Sequence, residues 1–578
     1  MFNRWIGNTP PTPHDQGLEE DPATLLDRVS ASVPLFGIAV GAHRQGQLAK
    51  ARATYLELVD QPGLAAVVLH QLGVLAGQQG DHGRAAELIS RAISIDPSQP
   101  MFFQNLAVSL ERQGNLPRAL DALIDFACAL QRRELHGQAI PIYHRVLSAD
   151  PRRYAAYVNM GTGLAWLGDT RGAIAPLLTG VAFYCWLVPE LRGLLDDMLP
   201  ALRSADLLPA DFVLPDQPPS GVVNMIEHAL ATLGKALTEL DRPREAILSY
   251  RMAVQIEPGF ALAHWNLALA LLAEGDFAGG WKEYQWRWHW DRFPEVKRRL
   301  PAPEWRGQPL AGKTIVIYAE QGYGDTIQFA PLVRRLAAQA SQVLFEVTTP
   351  QVRLFRASFD GGNLQVIERT SEPHLVRTHV DFDYVISLLS LPERLSLSTV
   401  DLPLDVAYLK PPATDAASWQ DRLAGTPGLK VGVVWAGRPT PDERRSLPLG
   451  MLAPFFTVPG IHWYSLQVGA PSKQLADVNA GIVDLSNDLR DFADTAAVIA
   501  NLDLIVSVDT AAVHLAAALG KPVWVLLLRT ADYRWPRERT DSPWYPTMRV
   551  FRQPTIGNWD PVIAEVRQAL VDLVEGSA

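Results

Sequence analysis

The feature that most constrains the fold is a repeat of 34 residues in the first half of the chain. Residues Gln71–Gly73 (QLG) recur as Asn105–Ala107 (NLA), and Leu233–Leu237 (LGKAL) recur as Leu267–Leu271 (LALAL), each after 34 residues. Small side chains stand where paired helices must approach closely, at Ala85, Ala119, Ala139, Ala173 and Ala246. This spacing indicates a row of similar helical units rather than one continuous core.

A 34-residue period of paired helices is typical of tetratricopeptide repeats, and a generic helical domain is the alternative. One helix pair cannot bury its apolar face alone, so we expect neighbours to stack into an all-α superhelix with a concave groove. We predict this array over residues 22–300. Two features interrupt it: 54 residues separate Asn105 from Asn159, which indicates a shortened or fused repeat, and a Pro-rich break lies near residues 200–220.

The second half of the chain, from Pro301, has a different pattern: short runs rich in β-branched residues alternate with segments of helical periodicity. The runs of the first series are Thr314–Tyr318, Val343–Thr348, Leu364–Ile367 and Tyr384–Leu389. Those of the second series are Lys430–Trp435, His462–Gln467, Ile482–Leu485, Leu504–Val508 and Val523–Leu527. This alternation predicts two Rossmann-like α/β domains, residues 301–410 and 411–578, that face each other across a ligand-binding cleft. A helix at Asp560–Val574 is expected to close the chain.

Composition excludes several classes of function. The 578-residue chain has a formal net charge of −10 and a pI of about 5.8, which argues against a nucleic-acid partner. Its two cysteines, Cys128 and Cys185, cannot build a disulfide framework. No apolar run reaches the roughly 18 residues of a membrane span. Residues 1–21 lack a signal-peptide core, so we expect a disordered tail on a cytoplasmic protein.

The first candidate site is the loop A-E-Q-G-Y-G-D-T-I-Q-F-A-P at residues 319–331, directly after an expected strand. Ile327 stands where a dinucleotide fingerprint has its third glycine, and no Gly-Lys-Ser/Thr follows, so neither phosphate-loop motif applies. Two interpretations remain open for Asp325. It either caps the next helix through the amides of Ile327 or Gln328, or it is a catalytic carboxylate.

The second candidate site is V-S-V-D-T-A-A-V-H-L at residues 506–515. A strand is expected to end at Val508, and the helix that follows should carry Thr510 and His514 on one face, since they are four residues apart. Free amides and the helix dipole favour an anion such as phosphate at this helix start. The alternative is that Asp509 is a helix N-cap and His514 a packed helix residue.

Two further segments allow a functional and a structural interpretation. The loop after the strand Lys430–Trp435 contains Arg438, Arg444 and Arg445, which could clamp a diphosphate or simply face solvent. The aromatic segment at residues 533–546 could be a packed plug or a wall on which a base or sugar stacks.

Metal binding is not expected. The Asp381-Phe-Asp383 sequence has the form of a metal-binding Asp-x-Asp, but it lies at the start of an expected strand. No other cluster has metal-ligand spacing.

Taken together, residues 304–575 resemble the two-Rossmann (GT-B) glycosyltransferases of family 9, whose founding members are the lipopolysaccharide heptosyltransferases. The resemblance rests on Gly324-Asp325 followed by Pro331, and on Ser507-Val-Asp509-Thr510-x-x-x-His514. Four further segments are similar to a bacterial subgroup that carries tetratricopeptide repeats ahead of this domain: Trp305–Lys313, Ala319–Gly322, Val434–Gly437 and Asp541–Pro546. The layout is also similar to that of O-GlcNAc transferase and of repeat-containing flagellin glycosyltransferases.

The resemblance implies roles for individual residues. Asp325 would be the general base, while Asp509, Thr510, His514 and Arg445 would bind the ribose and diphosphate of the donor. The donor-binding set predicted in this way is Arg445, Ser446, Gln467, Asp509, Thr510, Ala511 and His514. The loop residues expected to support the acceptor are Gly322, Gly324 and Gln328. Further candidates are Gly437, Arg438, Arg444, Arg534 and Trp535.

The predicted activity is metal-independent, inverting transfer of a sugar from a nucleotide-sugar substrate to a hydroxyl group, without a cofactor. Because a concave helical groove suits extended peptides, we expect a protein acceptor, such as a flagellin, that the repeats recruit. A lipopolysaccharide or surface-polysaccharide transferase is one alternative. A catalytically inactive repeat scaffold is another, because Arg438 replaces the asparagine usual in the subgroup.

Overall fold

The structure, a computed structural model, describes residues 22–221, 226–439, 442–478 and 481–577. The predicted disordered tail, residues 1–21, lies outside the described residues. Contacts divide the chain into two compact units, one within residues 9–263 and one within residues 264–578. Among the described helices, none is both long and apolar enough to cross a bilayer.

The first unit is helical throughout its described part, apart from its connections and the irregular segment that follows residue 204. Its helices are α1 (Pro22–Ser32), α2 (Pro34–Arg44), α3 (Leu48–Leu58), α4 (Ala65–Gln78), α5 (His82–Ile95), α6 (Pro100–Arg112), α7 (Leu116–Gln131), α8 (His136–Ala149), α9 (Tyr154–Trp166), α10 (Thr170–Cys185), α11 (Arg192–Ser204), α12 (Ile226–Glu239) and α13 (Pro243–Ile256). The closest packing joins antiparallel neighbours such as α4 with α5, α6 with α7, α9 with α10, and α12 with α13. This pairing agrees with the predicted helical repeats.

The turn inside each repeat explains the sequence period. Gly80 and Gly114 have φ of +85° and +81°, the left-handed conformation that ends a helix and that glycine adopts without strain. The next residue caps the following helix: Asp81 accepts a hydrogen bond from the Arg84 amide at 2.9 Å, and Asn115 is the equivalent cap. The Gly-Asx pair is therefore a stop signal followed by a start signal, and it recurs after 34 residues, from Gly80-Asp81 to Gly114-Asn115.

The irregular spacing between Asn105 and Asn159 has a simple structural cause. Helix α8 is a single helix between the pairs α6–α7 and α9–α10, and it packs on both α7 and α9. The extra length is thus an added helix with its connections, where we had predicted a shortened or fused repeat.

The Pro-rich break begins later than its prolines suggested. Helix α11 continues through Pro200 to Ser204, and only residues 205–221 are irregular. This segment folds back on the turn before α9, where the Ser220 amide donates to the carbonyl of Arg152 at 2.8 Å and its hydroxyl to Asp150 at 2.7 Å. The hydrogen bonds fix the break in place, since buried main-chain groups require partners.

The second unit is an α/β structure that contains two parallel sheets. Its strands are β1 (Thr314–Tyr318), β2 (Gln342–Val347), β3 (Leu364–Glu368), β4 (Tyr384–Ser387), β5 (Leu429–Val434), β6 (Ile461–Ser465), β7 (Val483–Asp484), β8 (Leu504–Val508), β9 (Val523–Leu527) and β10 (Met548–Arg552). Their order is β3-β2-β1-β4 in one sheet and β10-β9-β8-β5-β6-β7 in the other. The predicted fold class, helical repeats followed by parallel α/β structure, is confirmed, whereas the two-Rossmann arrangement around a cleft stays a prediction.

Two of the helices of this unit precede its strands, and those that follow connect the strands, except for the last, which ends the unit. They are α14 (Ala261–Ala273), α15 (Phe277–Tyr284), α16 (Tyr323–Phe329), α17 (Pro331–Ala337), α18 (Val352–Phe359), α19 (Leu391–Arg394), α20 (Ala413–Leu423), α21 (Ala453–Phe456), α22 (Phe492–Ala500), α23 (Ala511–Ala518) and α24 (Asp560–Ser577). A short 3-10 helix, Gln285–His289, follows α15. The proposed division at residue 300 stays a prediction, but helix α15 and this 3-10 helix already belong to the second unit by their contacts.

Candidate active site

Asp325 lies in the first turn of α16, directly after strand β1 and its connecting loop. Its Oδ2 accepts a hydrogen bond from the Gly322 amide at 2.9 Å. The interpretation in which Asp325 caps the amides of Ile327 or Gln328 is wrong, because a residue inside the first turn points back toward the helix start. The carboxylate therefore closes the loop through Gly322 and leaves Oδ1 for another partner.

That partner is Arg534, which lies 209 residues later in the chain. Its guanidinium contacts Oδ1 of Asp325, donates to Gln328 Oε1 at 2.7 Å and pairs with Asp532 at 2.5 Å. Burial raises the pKa of Asp325, while the Arg534 charge and the Gly322 amide act in the opposite direction. The candidate base is thus an enclosed carboxylate whose ionised form depends on one arginine.

The second candidate segment begins where strand β8 ends. Thr510, rather than Asp509, is the N-cap of α23, and its hydroxyl accepts from the Ala512 amide at 3.3 Å. The same hydroxyl lies 3.1 Å from Ser507 Oγ. The N-cap interpretation of Asp509 is therefore wrong, and its carboxyl is not held by the helix.

Asp509 lies in a strongly charged environment. Burial and the nearby Asp532 raise the pKa of its carboxyl, while Arg445 and Arg534 lower it. The charges of two arginines from different loops thus favour the ionised form of Asp509.

His514 is buried beneath the aromatic segment. Its Nδ1 lies 3.0 Å from the Tyr545 hydroxyl, and its ring stacks on Trp535 with the centroids 5.5 Å apart. Burial, together with the Arg534 charge, lowers the pKa of the imidazole to about 3. His514 is therefore neutral at physiological pH and cannot supply a positive charge to a phosphate.

Gly324 allows helix α23 to approach the Asp325 loop. A Cβ at this position would lie only 2.8 Å from Cδ2 of His514. We expected the glycine to make room for a ligand, but in the structure it makes room for the imidazole. The contact brings the two candidate segments together, since α16 and α23 pack on each other.

The aromatic segment is buried, which supports the packed alternative. Tyr533, Trp535, Trp544 and Tyr545 are all at most 5% exposed. Tyr533 and Trp544 pack against aromatic rings of α15 at 5.8 Å. The segment therefore holds Arg534 in place and presents no open stacking wall.

The arginine loop after strand β5 is held mainly by its own main chain. Arg445 donates to the carbonyl of Arg438 at 3.2 Å, and Gly437 donates its amide to Ser446 Oγ at 3.1 Å. The Nε of Arg445 is buried and lacks a hydrogen-bond partner among the described residues. Arg444 pairs with Asp442 at 2.7 Å. Of the three arginines, Arg445 thus has donor capacity to offer an anion.

Gln467, a predicted donor-binding residue, and Asp383, where no metal is expected, both have structural contacts. The Gln467 amide receives hydrogen bonds from the amides of Trp435 and Ala436 and donates to the carbonyls of Ala436 and Val468. Its hydrogen-bonding groups are therefore committed to the main chain beside the arginine loop. Asp383 likewise binds Lys313 at 2.7 Å and the Thr314 amide at 2.8 Å.

The part of the chain that the structure describes contains no group of three or more His, Cys, Asp or Glu side chains arranged to hold a metal ion. Sequence reasoning missed Asp532, which holds Arg534, and gave no site role to Tyr545, which contacts His514, although the aromatic segment includes it. The available signal was local for Asp532, whose side chain accepts from the Arg534 amide two residues later at 3.1 Å.

Sequence comparisons support both halves of this description. The family model Glycosyltransferase family 9 (heptosyltransferase) matches residues 480–558, and the tetratricopeptide repeat model matches residues 70–125 and 232–284. Protein FlbA of Caulobacter vibrioides is 25% identical over 579 residues, covering 92% of this chain and 89% of the relative.

One solved structure that the chain matches is a family 9 glycosyl transferase from Veillonella parvula, with 12% identity and a TM-score of 0.34, covering 43% of this chain and 88% of that one. Another is the ADP-heptose lps heptosyltransferase II of E. coli, with 15% identity and a TM-score of 0.34, covering 46% of this chain and 99% of that one. The predicted resemblance and enzyme class are confirmed by the family matches. The chain therefore carries tetratricopeptide repeats together with a glycosyltransferase family 9 domain, and its enzyme class is glycosyltransferase.

Proposed function

We propose that the chain is an inverting, metal-independent transferase that moves a sugar from a nucleotide-sugar donor to a hydroxyl acceptor. The observation that carries this proposal is the packing of α16 on α23. It brings the Asp325 carboxylate and the helix start at Thr510 into one region, with Arg534 contacting Asp325 directly. A base and an anion-binding helix start are the two components that such a transfer requires.

In the proposed reaction, Asp325 accepts the proton of the acceptor hydroxyl while its oxygen attacks the anomeric carbon. The bond from that carbon to the donor diphosphate breaks, and the configuration inverts. Arg445 Nε and the amides at the start of α23 stabilise the negative charge that grows on the departing phosphate. In this proposal, the side chain and main chain of the protein stabilise the leaving group, and a metal ion is not required.

Arg534 has two effects on Asp325. Its charge favours the ionised carboxylate that a base needs, in opposition to the effect of burial. It also occupies Oδ1, so the acceptor hydroxyl must share or displace this contact. If the acceptor displaces this contact, the Arg534 segment shifts when the acceptor arrives.

The sharpest test is to compare Asp325→Asn with Asp532→Asn. Both variants remove one carboxylate partner of Arg534, but only Asp325 is the proposed base. Asp325→Asn should reduce transfer by about 10²- to 10⁴-fold, the usual contribution of a general base. It should preserve the thermal shift that the nucleotide-sugar donor produces.

Asp532→Asn is the matched control and should retain most of the transfer activity. Equal losses in the two variants would show that Asp325 acts only through the placement of Arg534. Donors are first found by screening nucleotide-sugars for an increase in the melting temperature of the full-length protein.

We propose a protein acceptor, such as a flagellin, that the repeats recruit. Tetratricopeptide arrays present extended concave surfaces, which suit peptides better than lipid-linked glycans. Incubation of the full chain, its donor and a candidate acceptor protein should add the mass of one or more sugars to that protein. If sugar is transferred only to lipopolysaccharide or surface polysaccharide under the same conditions, the proposal of a protein acceptor is wrong.

The burial of Asp325 favours one other candidate function, a catalytically inactive repeat scaffold. Arg534 pairs with Asp325, and the aromatic segment that carries Arg534 is buried. A scaffold of this kind would show no melting-temperature shift with any nucleotide-sugar and no turnover, and Asp325→Asn would then change only stability.

A further inference from the structure

A second arginine-rich region lies at the carboxyl ends of strands β9 and β10. It surrounds a cavity of about 210 Å³. Four arginines and two glutamates are among the residues that line it: Arg529, Arg537, Arg539, Arg552, Glu538 and Glu565. Arg539 pairs with Asp541 at 2.7 Å and Arg537 with Glu274 at 3.9 Å, so an anion would be attracted here by unsatisfied hydrogen-bond donors rather than by a net positive charge.

Gln553 provides an independent indication of a ligand. The side chain lines the cavity and is only 1% exposed. Its Oε1 accepts hydrogen bonds from the amides of Arg529 at 3.3 Å and Gly557 at 3.1 Å, which fixes the orientation of the amide group. Its Nε2 is buried and has no hydrogen-bond partner within the described residues. Such an unsatisfied buried donor is costly unless an acceptor occupies the cavity.

Arg552 adds a second unsatisfied donor. Its terminal nitrogens donate to the carbonyls of Leu528, Arg529, Trp535 and Pro536, at distances between 3.0 and 3.4 Å. Its Nε is buried and lacks a partner in the described part of the chain. Burial, followed by the charges of Arg537 and Arg529, lowers the pKa of its guanidinium to about 10.

The size of the cavity limits the ligand. A volume of 210 Å³ equals the liquid volume of roughly seven water molecules and lies below the range of about 300–1,000 Å³ found for drug-sized ligands. A whole nucleotide-sugar would therefore extend beyond the cavity, whereas a phosphate or pyrophosphate group has a suitable size and accepts hydrogen bonds from guanidinium and amide donors.

We propose that this cavity is a binding site for a phosphate group, held by Arg537, Arg552 and Gln553. Its lining does not include Arg445, and the proposal does not depend on the proposed transfer reaction. Arg552 also donates to the carbonyl of Trp535, the neighbour of Arg534. Phosphate binding would thus stabilise the loop that carries the partner of Asp325.

The test uses the full-length protein and follows its melting temperature in inorganic phosphate, in pyrophosphate, and in sodium chloride of equal ionic strength. Phosphate or pyrophosphate should raise the melting temperature of the natural protein above its value in chloride. No increase over chloride would overturn the proposal.

The diagnostic variant is Gln553→Glu. It keeps an acceptor oxygen for the amides of Arg529 and Gly557 but replaces the unsatisfied donor with a negative charge. The new carboxylate should substitute for the anion, so the melting temperature without phosphate should rise and the response to phosphate should disappear. An unchanged phosphate response in this variant would contradict the site.

A second variant, Arg537→Gln, should weaken phosphate binding by about tenfold, the effect of losing one charged hydrogen bond. Its side chain is 17% exposed and pairs with Glu274, so the melting temperature of this variant without phosphate is measured as its own reference. The matched control is Arg422→Gln, which removes an exposed arginine of α20 that pairs with Asp488 and should leave phosphate binding unchanged. Equal weakening in both variants would mean that phosphate responds only to net charge, and the proposal would fail.

Arg445→Gln distinguishes this cavity from the candidate donor site. The phosphate response should survive Arg445→Gln and be lost in Gln553→Glu, and the opposite pattern would assign the anion to the donor site and overturn the proposal. A nucleoside diphosphate identifies the source of the phosphate group. If it raises the melting temperature of Arg445→Gln as strongly as inorganic phosphate does, the site accepts the phosphate of a nucleotide, and if it does not, the site takes free phosphate.

Discussion

The two units bury their polar groups in different ways. In the described repeat helices, the partners of buried polar side chains come from the same or neighbouring repeats, as when Asn105 meets His70 at 2.9 Å, 35 residues away. In the α/β unit, Arg534 reaches Asp325 over 209 residues, and Arg287 reaches Ser390 over 103. A repeat array contacts only its neighbours, whereas a parallel sheet assembles distant segments at one edge. A period in the sequence therefore reveals the first kind of contact but not the second.

The largest expected effect comes from breaking the pair between Arg287 and Glu320. Arg287 is fully buried, and its guanidinium donates to Glu320 at 2.6 and 3.0 Å and to two serines, Ser387 and Ser390, both at 2.9 Å. Arg287→Gln should lower the free energy of unfolding by about 4 kcal/mol, because it leaves a buried carboxylate without its counter-charge. Chemical denaturation of the full chain measures the loss.

The same variant tests how far the effect extends along the chain. Hydrogen exchange should increase in the loop at residues 319–325 and near residues 387–391, far from the substitution in sequence. The double variant Arg287→Met/Glu320→Leu should recover part of the stability, because no charge is left unpaired. An exchange increase confined to residues near 287 would remove the contrast between the two units.

The next effect in size is expected inside the repeats. Leu177 is fully buried in α10 and packs against Gly161 of α9, where an added Cβ would lie 2.6 Å from Leu177 Cγ. Leu177→Ala should cost about 3 kcal/mol through the cavity that it leaves. Faster hydrogen exchange should stay within α9, α10 and α12. Leu167→Ala, at a position that is 53% exposed, is the matched control and should be nearly neutral.

A loss of stability of intermediate size is expected when the pH is lowered, and one histidine in each unit should contribute about equally to it. Burial lowers the pKa of His70 in the repeats and of His514 in the α/β unit to about 3, from an ordinary value of 6.5. Below pH 6.5 the two imidazoles therefore bind protons in the unfolded chain but stay neutral in the folded chain. Each histidine contributes stability that is present above pH 6.5 and is lost as the pH falls from 6.5 toward 3.

At pH 5 the loss should be about 2 kcal/mol per histidine relative to pH 8. The measurement is the pH dependence of unfolding in His70→Gln and His514→Gln, each of which should have a shallower slope than the natural chain between pH 8 and 5. The overall slope alone is not diagnostic, because Asp325 and Asp509 have raised pKa values and therefore contribute with the opposite sign. Unchanged slopes in both variants would contradict the neutral state of the two imidazoles.

The smallest effect is expected from Arg353 on α18. This side chain pairs with Asp491 at 2.7 Å, with Asp494 at 3.2 Å and with Asp415, but it is 45% exposed. Solvent screens such a cluster, so Arg353→Gln should cost only about 1 kcal/mol. The cost should shrink further in high salt, since the Debye length falls to about 3 Å at 1 M. A loss as large as that of Arg287→Gln, independent of salt, would show that exposed and buried pairs are equivalent here.

Much of the fold could be predicted because its signals are local. The strands Thr314–Tyr318, Leu504–Val508 and Val523–Leu527 have the bounds that their apolar runs indicated. Strand β10, Met548–Arg552, was missed because it lies at the sheet edge and exposes Arg549, so its sequence lacks a continuous apolar run. The alternation of buried and exposed residues in β10 follows from its position at the sheet edge, and the local sequence does not reveal that position.

The candidate site also has features that could be predicted from local sequence and features that could not. Its carboxylates and helix starts could be located, because each follows a recognisable strand. The hydrogen-bond partners of those groups could not be predicted. Thr510, rather than Asp509, caps the helix. Arg445 has an unsatisfied donor, whereas Arg444 pairs with Asp442. Such outcomes depend on which loops meet, and residue types alone do not specify this.

By itself, the sequence determined the repeat period, the Gly-Asx turns, the order of helices and strands, and which segments could carry chemistry, because these depend on neighbours within a few tens of residues. Only the tertiary structure decided that Gly324 makes room for His514 and that Arg534 pairs with Asp325. Both contacts join residues that are about 200 positions apart, and they form only when the two parallel sheets of the second unit pack their connecting helices together.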